Sequence, residues 1–181
     1  LEELQAAKQW MDTAKKQLAQ EGLPFDPAIR EGIMVEVPSA ALLCDLLAPH
    51  CDFFSIGSND LAQYLLAADR NGECLPQLGS YLHPAVLRVI QMVLDRAAEE
   101  GIPCSLCGEM AKDPLATPLL LGMGLTNFVV TPAAIPALKE GISRLDTGAC
   151  RRIARQALSC STAGEVVRLL QMEREQTVPA R

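Results

Sequence analysis

Apolar runs alternate with amphipathic stretches along most of this chain, and turns or prolines separate them. Residues 1–22 carry apolar side chains at three- and four-residue steps, which predicts a helix that Gly22 ends. Residues 32–37 form an apolar run interrupted by Glu36, which indicates a strand buried on both faces, as in a parallel sheet. Pro38 is well placed to open the next helix, predicted over 40–48.

Three further strands are predicted, and each is followed in the chain by one or two helices. The strands cover 52–56, 101–107 and 127–131, and the helices cover 59–68, 84–100, 113–121 and 133–145. Two more helices are expected at about 149–159 and 162–173, and the last opens with a capping box of Thr162 and Glu165. Residues 69–83 form a long irregular connection, and such connections are often functional.

Repeated β-then-α units predict an α/β fold with a parallel sheet. Four strands could form a small doubly wound sheet, or half of an eight-stranded barrel, which typically needs about 250 residues. No G-x-G-x-x-G motif follows any of these strands, so a dinucleotide-binding site lacks support. The pattern alone leaves the doubly wound sheet and the barrel open.

Composition narrows the class of protein. A chain of 181 residues that is 49% hydrophobic can form one domain with a sizeable core. Its net charge of −6 argues against a nucleic-acid binder, and no apolar run reaches the roughly 18 residues that span a membrane. The seven cysteines lie in apolar segments, which indicates free thiols in a reducing cytoplasm. The chain has no secretion signal and no initiating Met, so we expect it to start inside a longer protein.

Polar or reactive side chains stand where three predicted strands end, at Glu36, at Asn59 and Asp60, and at Cys107. In parallel α/β folds, ligands bind at the carboxyl ends of the strands. Glu36 could cap the following helix, pair with an arginine or ligate a metal. Asn59 and Asp60 could form a turn and a helix N-cap. Together, however, these oxygens would make a pocket suited to Mg²⁺ or Mn²⁺.

Cys104 and Cys107 form a lone C-x-x-C pair. A zinc site would need a second pair, and a redox motif would place its first Cys at a helix N-terminus. A buried structural thiol therefore fits Cys104, whereas Cys107 can face the site, where a protonated thiol can act as a general acid. Arg70 could bind phosphate or pair with Asp69. Neither histidine has a context that predicts a ligand or a phosphohistidine.

Four segments, in this order, carry a resemblance to a known family. They are residues 32–38 (GIMVEVP), residues 52–64 (DFFSIGSNDLAQY) with Asp69 and Arg70, residues 107–109 (CGE) and residues 120–124 (LLGMG). The chain resembles the phosphoenolpyruvate (PEP)-binding domain of phosphoenolpyruvate-protein phosphotransferases, the enzyme I family of the bacterial sugar phosphotransferase system, and of their multiphosphoryl-transfer fusions. The resemblance covers residues 1–145, and residues 146–181 resemble the family's variable C-terminal helices.

The resemblance implies an α/β fold in which this chain is the second half of a (β/α)₈ TIM barrel, strands five to eight, followed by C-terminal helices. It implies that Glu36 and Asp60 ligate Mg²⁺ and that Asn59 contacts the phosphate or carboxylate of the substrate. It also implies that Arg70 binds the phosphate. Cys107 would protonate the methylene carbon of enolpyruvate after the phosphoryl group leaves.

The function implied by the resemblance is transfer of a phosphoryl group from PEP to a histidine of the same protein, then to a histidine phosphocarrier protein for sugar uptake, with release of pyruvate. A cytoplasmic homodimer without nucleic-acid or membrane partners is expected, with the acceptor histidine and further arginines on segments that precede this chain. The alternatives are an inactive truncated fragment or dimerisation module, and a related PEP synthase or pyruvate dikinase. Ser58 and Val37 stand where the family commonly has Thr.

Overall fold

Two compact units make up the computed structural model, which describes residues 1–68 and 80–177. The first unit, Leu1–Glu31, contains helix α1 (Glu2–Gln20) and the loop that follows it, and Lys15 Nζ of the helix donates to a Glu31 carboxylate oxygen over 2.8 Å. Gly22 has a φ of 70°, the left-handed conformation common just after a helix, where the sequence predicted the stop.

The second unit, Gly32–Arg181, is built on a four-stranded parallel sheet. Its strands are β1 (Ile33–Val35), β2 (Phe54–Gly57), β3 (Cys104–Cys107) and β4 (Asn127–Phe128). They lie side by side in chain order, and every neighbouring pair is parallel. The predicted α/β class with a parallel sheet is confirmed.

Helices fill the connections between the strands and form the C-terminal part of this unit. They are α2 (Pro38–Leu42), α3 (Cys44–Leu47), α4 (Ser58–Leu66), α5 (Pro84–Glu99), α6 (Glu109–Lys112), α7 (Thr117–Gly122), α8 (Ile135–Ser143), α9 (Thr147–Ser159) and α10 (Ala163–Thr177), with 3₁₀ turns at Ala48–His50 and Pro132–Ala134. Helix α9 packs against α7 and α10. Within the described ranges, no helix is both long and apolar enough to cross a membrane.

The last helix begins with the predicted capping box, shifted by one residue. Thr162 Oγ1 accepts from the backbone N–H of Glu165 over 3.2 Å. The Glu165 carboxylate accepts from the N–H of Ser161 over 2.8 Å, one residue before the usual partner. Both halves of the motif therefore satisfy backbone donors at this helix start.

Several predicted elements differ from the structure. The helix predicted over 40–48 is divided into α2 and α3, and the strand predicted over 101–107 begins at Cys104. The helix predicted over 113–121 begins only at Thr117, because Asp113 ends α6 and accepts from the N–H of Leu115 over 2.8 Å, which forms a turn. The strand predicted over 127–131 ends at Phe128. The structure's unit boundary follows residue 31, and the predicted division after residue 145 stays a prediction.

The strand register gives the sheet two unlike faces. Val35, Ile56 and Leu106 lie in one row, and each is 0% exposed. Successive strand residues point to opposite faces, so Met34 and Ser105, in the neighbouring row, point the other way. Met34 is 49% exposed, which makes the expectation that β1 is buried on both faces wrong for this chain. An apolar run in the sequence does not show whether both faces of a strand are covered by the same unit. Within the described part of this unit, only the face of β1 that carries Val35 is covered.

Candidate active site

The carboxyl ends of β1, β2 and β3 meet at one edge of the sheet. Gly57 pairs with Cys107 in the parallel register, and Val35 pairs with Ile56 one residue earlier. Glu36 directly follows β1, and its Oε2 atom lies 2.7 Å from the position that a Cβ on Gly57 would take. The structure therefore brings Glu36 and Cys107 to neighbouring strand ends, on either side of Gly57.

Glu36 is half-buried, and its carboxylate makes no hydrogen bond or salt bridge with another of the described residues. The helix that follows it has Val37 as N-cap and no side-chain cap, so Glu36 does not cap α2. Its oxygens are therefore positioned beside Gly57 and remain able to accept from a ligand or bind a cation.

Two residues at the start of α4 hold the end of β3. Ser58 is 0% exposed, and its Oγ donates to the backbone carbonyl of Cys107 over 2.6 Å. The Oδ1 atom of Asn59 accepts from the backbone N–H of Glu109 over 3.1 Å. These two hydrogen bonds, which we call the strand-end clasp, reach both sides of Gly108. They tie the end of β2 to the turn that follows β3.

The clasp fixes the direction of the Asn59 amide group. A backbone N–H can only donate, so the amide oxygen faces Glu109 and the Nδ2 group points elsewhere. The alternative role of Asn59 as a helix cap is absent, because the N-cap of α4 is Gly57 and makes no side-chain cap bond. Asn59 is thus placed at the strand ends with its two amide N–H donors directed away from Glu109.

Gly108 adopts a backbone conformation that disfavours other residues. Its φ is 96°, in a backbone region that residues other than glycine rarely adopt. A Cβ at this position would lie 2.5 Å from Ser58 Oγ and 3.0 Å from Asn59 Oδ1. The turn after Cys107 therefore depends on glycine for both its conformation and its close contact with the clasp.

The two cysteines of β3 are in different environments. Cys104 is 8% exposed, and burial raises the pKa of its thiol to about 12, so this thiol is neutral and structural, as the sequence predicted. Cys107 is half-buried at the strand end and lies beside Gly57. Its role as a general acid stays a prediction.

Two predicted site residues remain, the metal ligand Asp60 and the phosphate-binding residue Arg70. Asp60 lies half-buried in the first turn of α4, where N-terminal backbone N–H groups favour a carboxylate. Arg70 lies outside the described residues. Across residues 1–68 and 80–177, no three His, Cys, Asp or Glu side chains cluster closely enough to hold a metal ion. A cation at these strand ends would take further ligands from substrate and water.

Two side chains just before α5 have structural partners. Tyr81 donates its hydroxyl to Asp113 Oδ2 over 2.9 Å, and burial together with this bond raises the pKa of Tyr81 to about 12. No sequence pattern indicates this contact, because its partners are 32 residues apart in the chain. His83 Nδ1 accepts from the N–H of Ala85 over 3.2 Å and caps α5, so this nitrogen has a structural role.

Comparison with known proteins identifies related sequences over most of the chain. A family model described as "PEP-utilising enzyme, PEP-binding domain" matches residues 1–147. The phosphoenolpyruvate-protein phosphotransferase of Haloferax volcanii is 41% identical over 174 residues, covering 96% of this chain and 30% of that protein. The corresponding protein of Enterococcus faecalis is 43% identical over 172 residues, covering 94% and 30%. Multiphosphoryl transfer protein 2 of Escherichia coli is 41% identical over 170 residues, covering 94% and 20%.

This chain thus spans less than a third of the length of these relatives. The matched residues include all three strand ends and the strand-end clasp. The chain therefore belongs to the family of PEP-utilising enzymes, whose PEP-binding domain it matches over residues 1–147.

Proposed function

We propose that the protein carrying this chain transfers a phosphoryl group from PEP to one of its own histidines and releases pyruvate. The phosphohistidine then passes the group to a histidine phosphocarrier protein that serves sugar uptake. The observation that carries the proposal is the meeting of Glu36, Asn59 and Cys107 at adjacent strand ends in a PEP-binding domain. The acceptor histidine and the phosphocarrier surface belong to other parts of that protein, which we propose is a cytoplasmic homodimer.

The fold proposed for the whole domain is a (β/α)₈ barrel in which β1–β4 are strands five to eight. Support comes from the strand order, since the four strands run in sequence without the reversal that a doubly wound sheet contains. The face that carries Met34, Glu36 and Cys107 would be the barrel interior. The preceding half of the barrel would cover the exposed side of Met34.

Glu36 and Asp60 would hold the Mg²⁺ ion. Carboxylate oxygens are the ligands this ion prefers, and one or two of them suffice when substrate phosphate and water complete the shell. The position of the Glu36 carboxylate beside Gly57 supports the fit, because a residue with a side chain there would displace it. When bound, the ion would neutralise charge on the transferring phosphoryl group.

Asn59 and Arg70 would bind the substrate's anionic groups. The Asn59 amide is turned by Glu109 so that its N–H donors are available, and donors suit a phosphate or carboxylate. Arg70 would bind the phosphate through its guanidinium fork. Together these residues would fix the orientation of PEP, and orientation is a large part of phosphoryl-transfer catalysis.

Cys107 would complete the reaction by holding a proton at Sγ. Once the phosphoryl group has left, the enolate of pyruvate carries electron density on its methylene carbon. The Sγ–H bond would break, and its proton would form the new C–H bond of the methyl group. The resulting thiolate would take a proton from solvent before the next turnover.

The test compares Cys107→Ala with Cys104→Ala in the full-length protein. Cys104 is a matched control, because it lies on the same strand but is buried on the opposite face. In D₂O with Mg²⁺, NMR follows exchange of the pyruvate methyl protons. The exchange rate of Cys107→Ala should fall by roughly a hundredfold or more, as is typical when a general acid–base group is missing. The exchange rate of Cys104→Ala should equal that of the wild type. Exchange at the wild-type rate in Cys107→Ala would refute the assignment of Cys107 as the general acid.

A further inference from the structure

We propose that Ser58 is a positioning residue for Cys107. Its hydroxyl holds the carbonyl of Cys107 and thereby fixes the orientation of the residue whose thiol would protonate enolpyruvate. This inference rests on the proposed function, since it concerns the step assigned to Cys107. It goes beyond that function because Ser58 would touch neither substrate nor metal.

The first support is the geometry of the bond. Ser58 Oγ lies 2.6 Å from the Cys107 carbonyl oxygen, a short distance even for a hydroxyl donor, and Ser58 is 0% exposed. The bond is part-buried, and a carbonyl that loses its donor in such a place is unfavourable unless water fully replaces the donor. The hydroxyl thus constrains the backbone of Cys107 directly.

The second support is the residue that follows Cys107. Gly108 has a φ of 96°, and glycine leaves the chain a wide choice of conformations. The clasp reduces this choice, because Ser58 binds just before Gly108 and Asn59 binds just after it. Cys107 sits at the end of a strand next to a flexible residue, so its orientation depends on a contact outside the strand ladder.

Another serine provides a matched comparison within the same pair of strands. Ser105 Oγ donates to the Phe54 carbonyl over 3.4 Å, so it also joins β3 to β2. This bond is longer, and it lies two residues before Cys107 without touching the Cys107 carbonyl. Removing the Ser105 hydroxyl therefore tests for a general weakening of the strand pair.

The experiment uses the full-length protein, with Ser58→Ala, Ser58→Cys, Ser105→Ala, Cys107→Ala and the double variant Ser58→Ala/Cys107→Ala. Exchange of pyruvate methyl protons in D₂O reports the protonation step, and KM for PEP reports substrate binding. Reducing agent is present throughout. Ser58→Cys fills the same buried position with a slightly larger side chain and replaces a strong donor with a weak one.

We expect Ser58→Ala to lower the exchange rate about tenfold, as for a lost hydrogen bond of about 1.4 kcal/mol, with KM for PEP within about twofold of wild type. Ser105→Ala should exchange at close to the wild-type rate. Because Ser58 acts through Cys107, Ser58→Ala should cause no further loss in the Cys107→Ala background. A change confined to KM, or an effect no larger than that of Ser105→Ala, would overturn the inference.

Two further outcomes separate the role of Ser58 from the proposed function. If Cys107→Ala exchanges at the wild-type rate, the acid assignment fails whatever Ser58 does. If Cys107→Ala loses exchange but Ser58→Ala lowers the residual rate by the same factor as in wild type, only the inference about Ser58 fails. Should Ser58→Ala melt below the assay temperature, Ser58→Cys decides: an exchange rate reduced about threefold or more supports the inference, and a smaller effect overturns it.

Discussion

The carboxylate of Glu36 occupies the space beside Gly57 that a side chain would need. The Oε2 atom lies 2.7 Å, and the Glu36 Cβ 2.9 Å, from the Cβ position of a residue at 57. The end of β1 can therefore approach β2 only because residue 57 has no side chain. This relationship brings a carboxylate to the site where the proposed magnesium ion would bind.

Gly57→Ala should displace the Glu36 carboxylate and weaken Mg²⁺ binding by about tenfold or more, as a change of more than 1.4 kcal/mol in one ligand would. Gly141→Ala is a matched control, since Gly141 lies in α8 and a Cβ there meets nothing within 4 Å. Isothermal titration of the full-length protein with Mg²⁺ in the presence of PEP measures both affinities. Equal affinities in Gly57→Ala and Gly141→Ala would show that Glu36 does not need the space beside Gly57 to bind the ion.

Gly108→Ala should destabilise the domain more than Gly101→Ala does. Both glycines have positive φ values, 96° and 70°, but only at 108 would a Cβ meet a neighbour, Ser58 Oγ at 2.5 Å. Strain alone should lower the free energy of unfolding by about 1–2 kcal/mol in Gly101→Ala. The contact at 108 should add about 1–3 kcal/mol, as overpacking does.

Thermal or urea unfolding of the two alanine variants in the full-length protein measures this difference. The excess destabilisation of Gly108→Ala is the quantity of interest, because it combines the contact with Ser58 and the greater strain of a backbone with φ 96° and ψ −171°, a conformation almost restricted to glycine. If the two lose equal stability, the close contact with Ser58 has no energetic consequence.

Tyr81→Phe should remove a pH dependence of stability at alkaline pH. The folded protein raises the pKa of Tyr81 from 10.0 to about 12, so the neutral phenol is favoured by folding. The stabilisation of the folded protein by the neutral Tyr81 phenol is complete below pH 10 and is lost as the pH rises towards 12. The Asp113 hydrogen bond itself should contribute about 1 kcal/mol at neutral pH.

Unfolding of wild type and Tyr81→Phe between pH 7 and pH 12 tests this sign. The difference in stability between the two proteins should be constant to about pH 10 and should shrink above it. Tyr64→Phe is the control, because Tyr64 is 55% exposed. A difference that grows above pH 10 would contradict the direction of the Tyr81 pKa shift.

The residues at the strand ends could be predicted from sequence because they follow from local patterns. Apolar runs predict strands, and parallel strands end at a common edge, so Glu36, Asn59 and Cys107 were expected to meet. Their pairwise contacts could not be predicted in this way. The Ser58 bond to Cys107 joins residues 49 positions apart, and no local pattern encodes which hydroxyl meets which carbonyl.

Element boundaries were less predictable where side chains compete with the backbone. Asp113 and Pro114 have the pattern of a helix start, but the Asp113 carboxylate accepts from both Leu115 and Tyr81. These bonds stabilise a turn and delay the helix to Thr117. The Tyr81 contact comes from a distant part of the chain, so the sequence around Asp113 carries no sign of it.

The most direct measurement of the proposed site is the Mg²⁺-dependent binding of PEP to the full-length Glu36→Gln protein. Glu31→Gln is the matched control, since it removes a carboxylate five residues earlier that pairs with Lys15 instead. By isothermal titration, Glu36→Gln should bind PEP at least about tenfold more weakly in Mg²⁺, as expected when one metal ligand is lost, and Glu31→Gln should bind it normally. Equal affinities for PEP in the two variants would contradict a magnesium–PEP site at these strand ends.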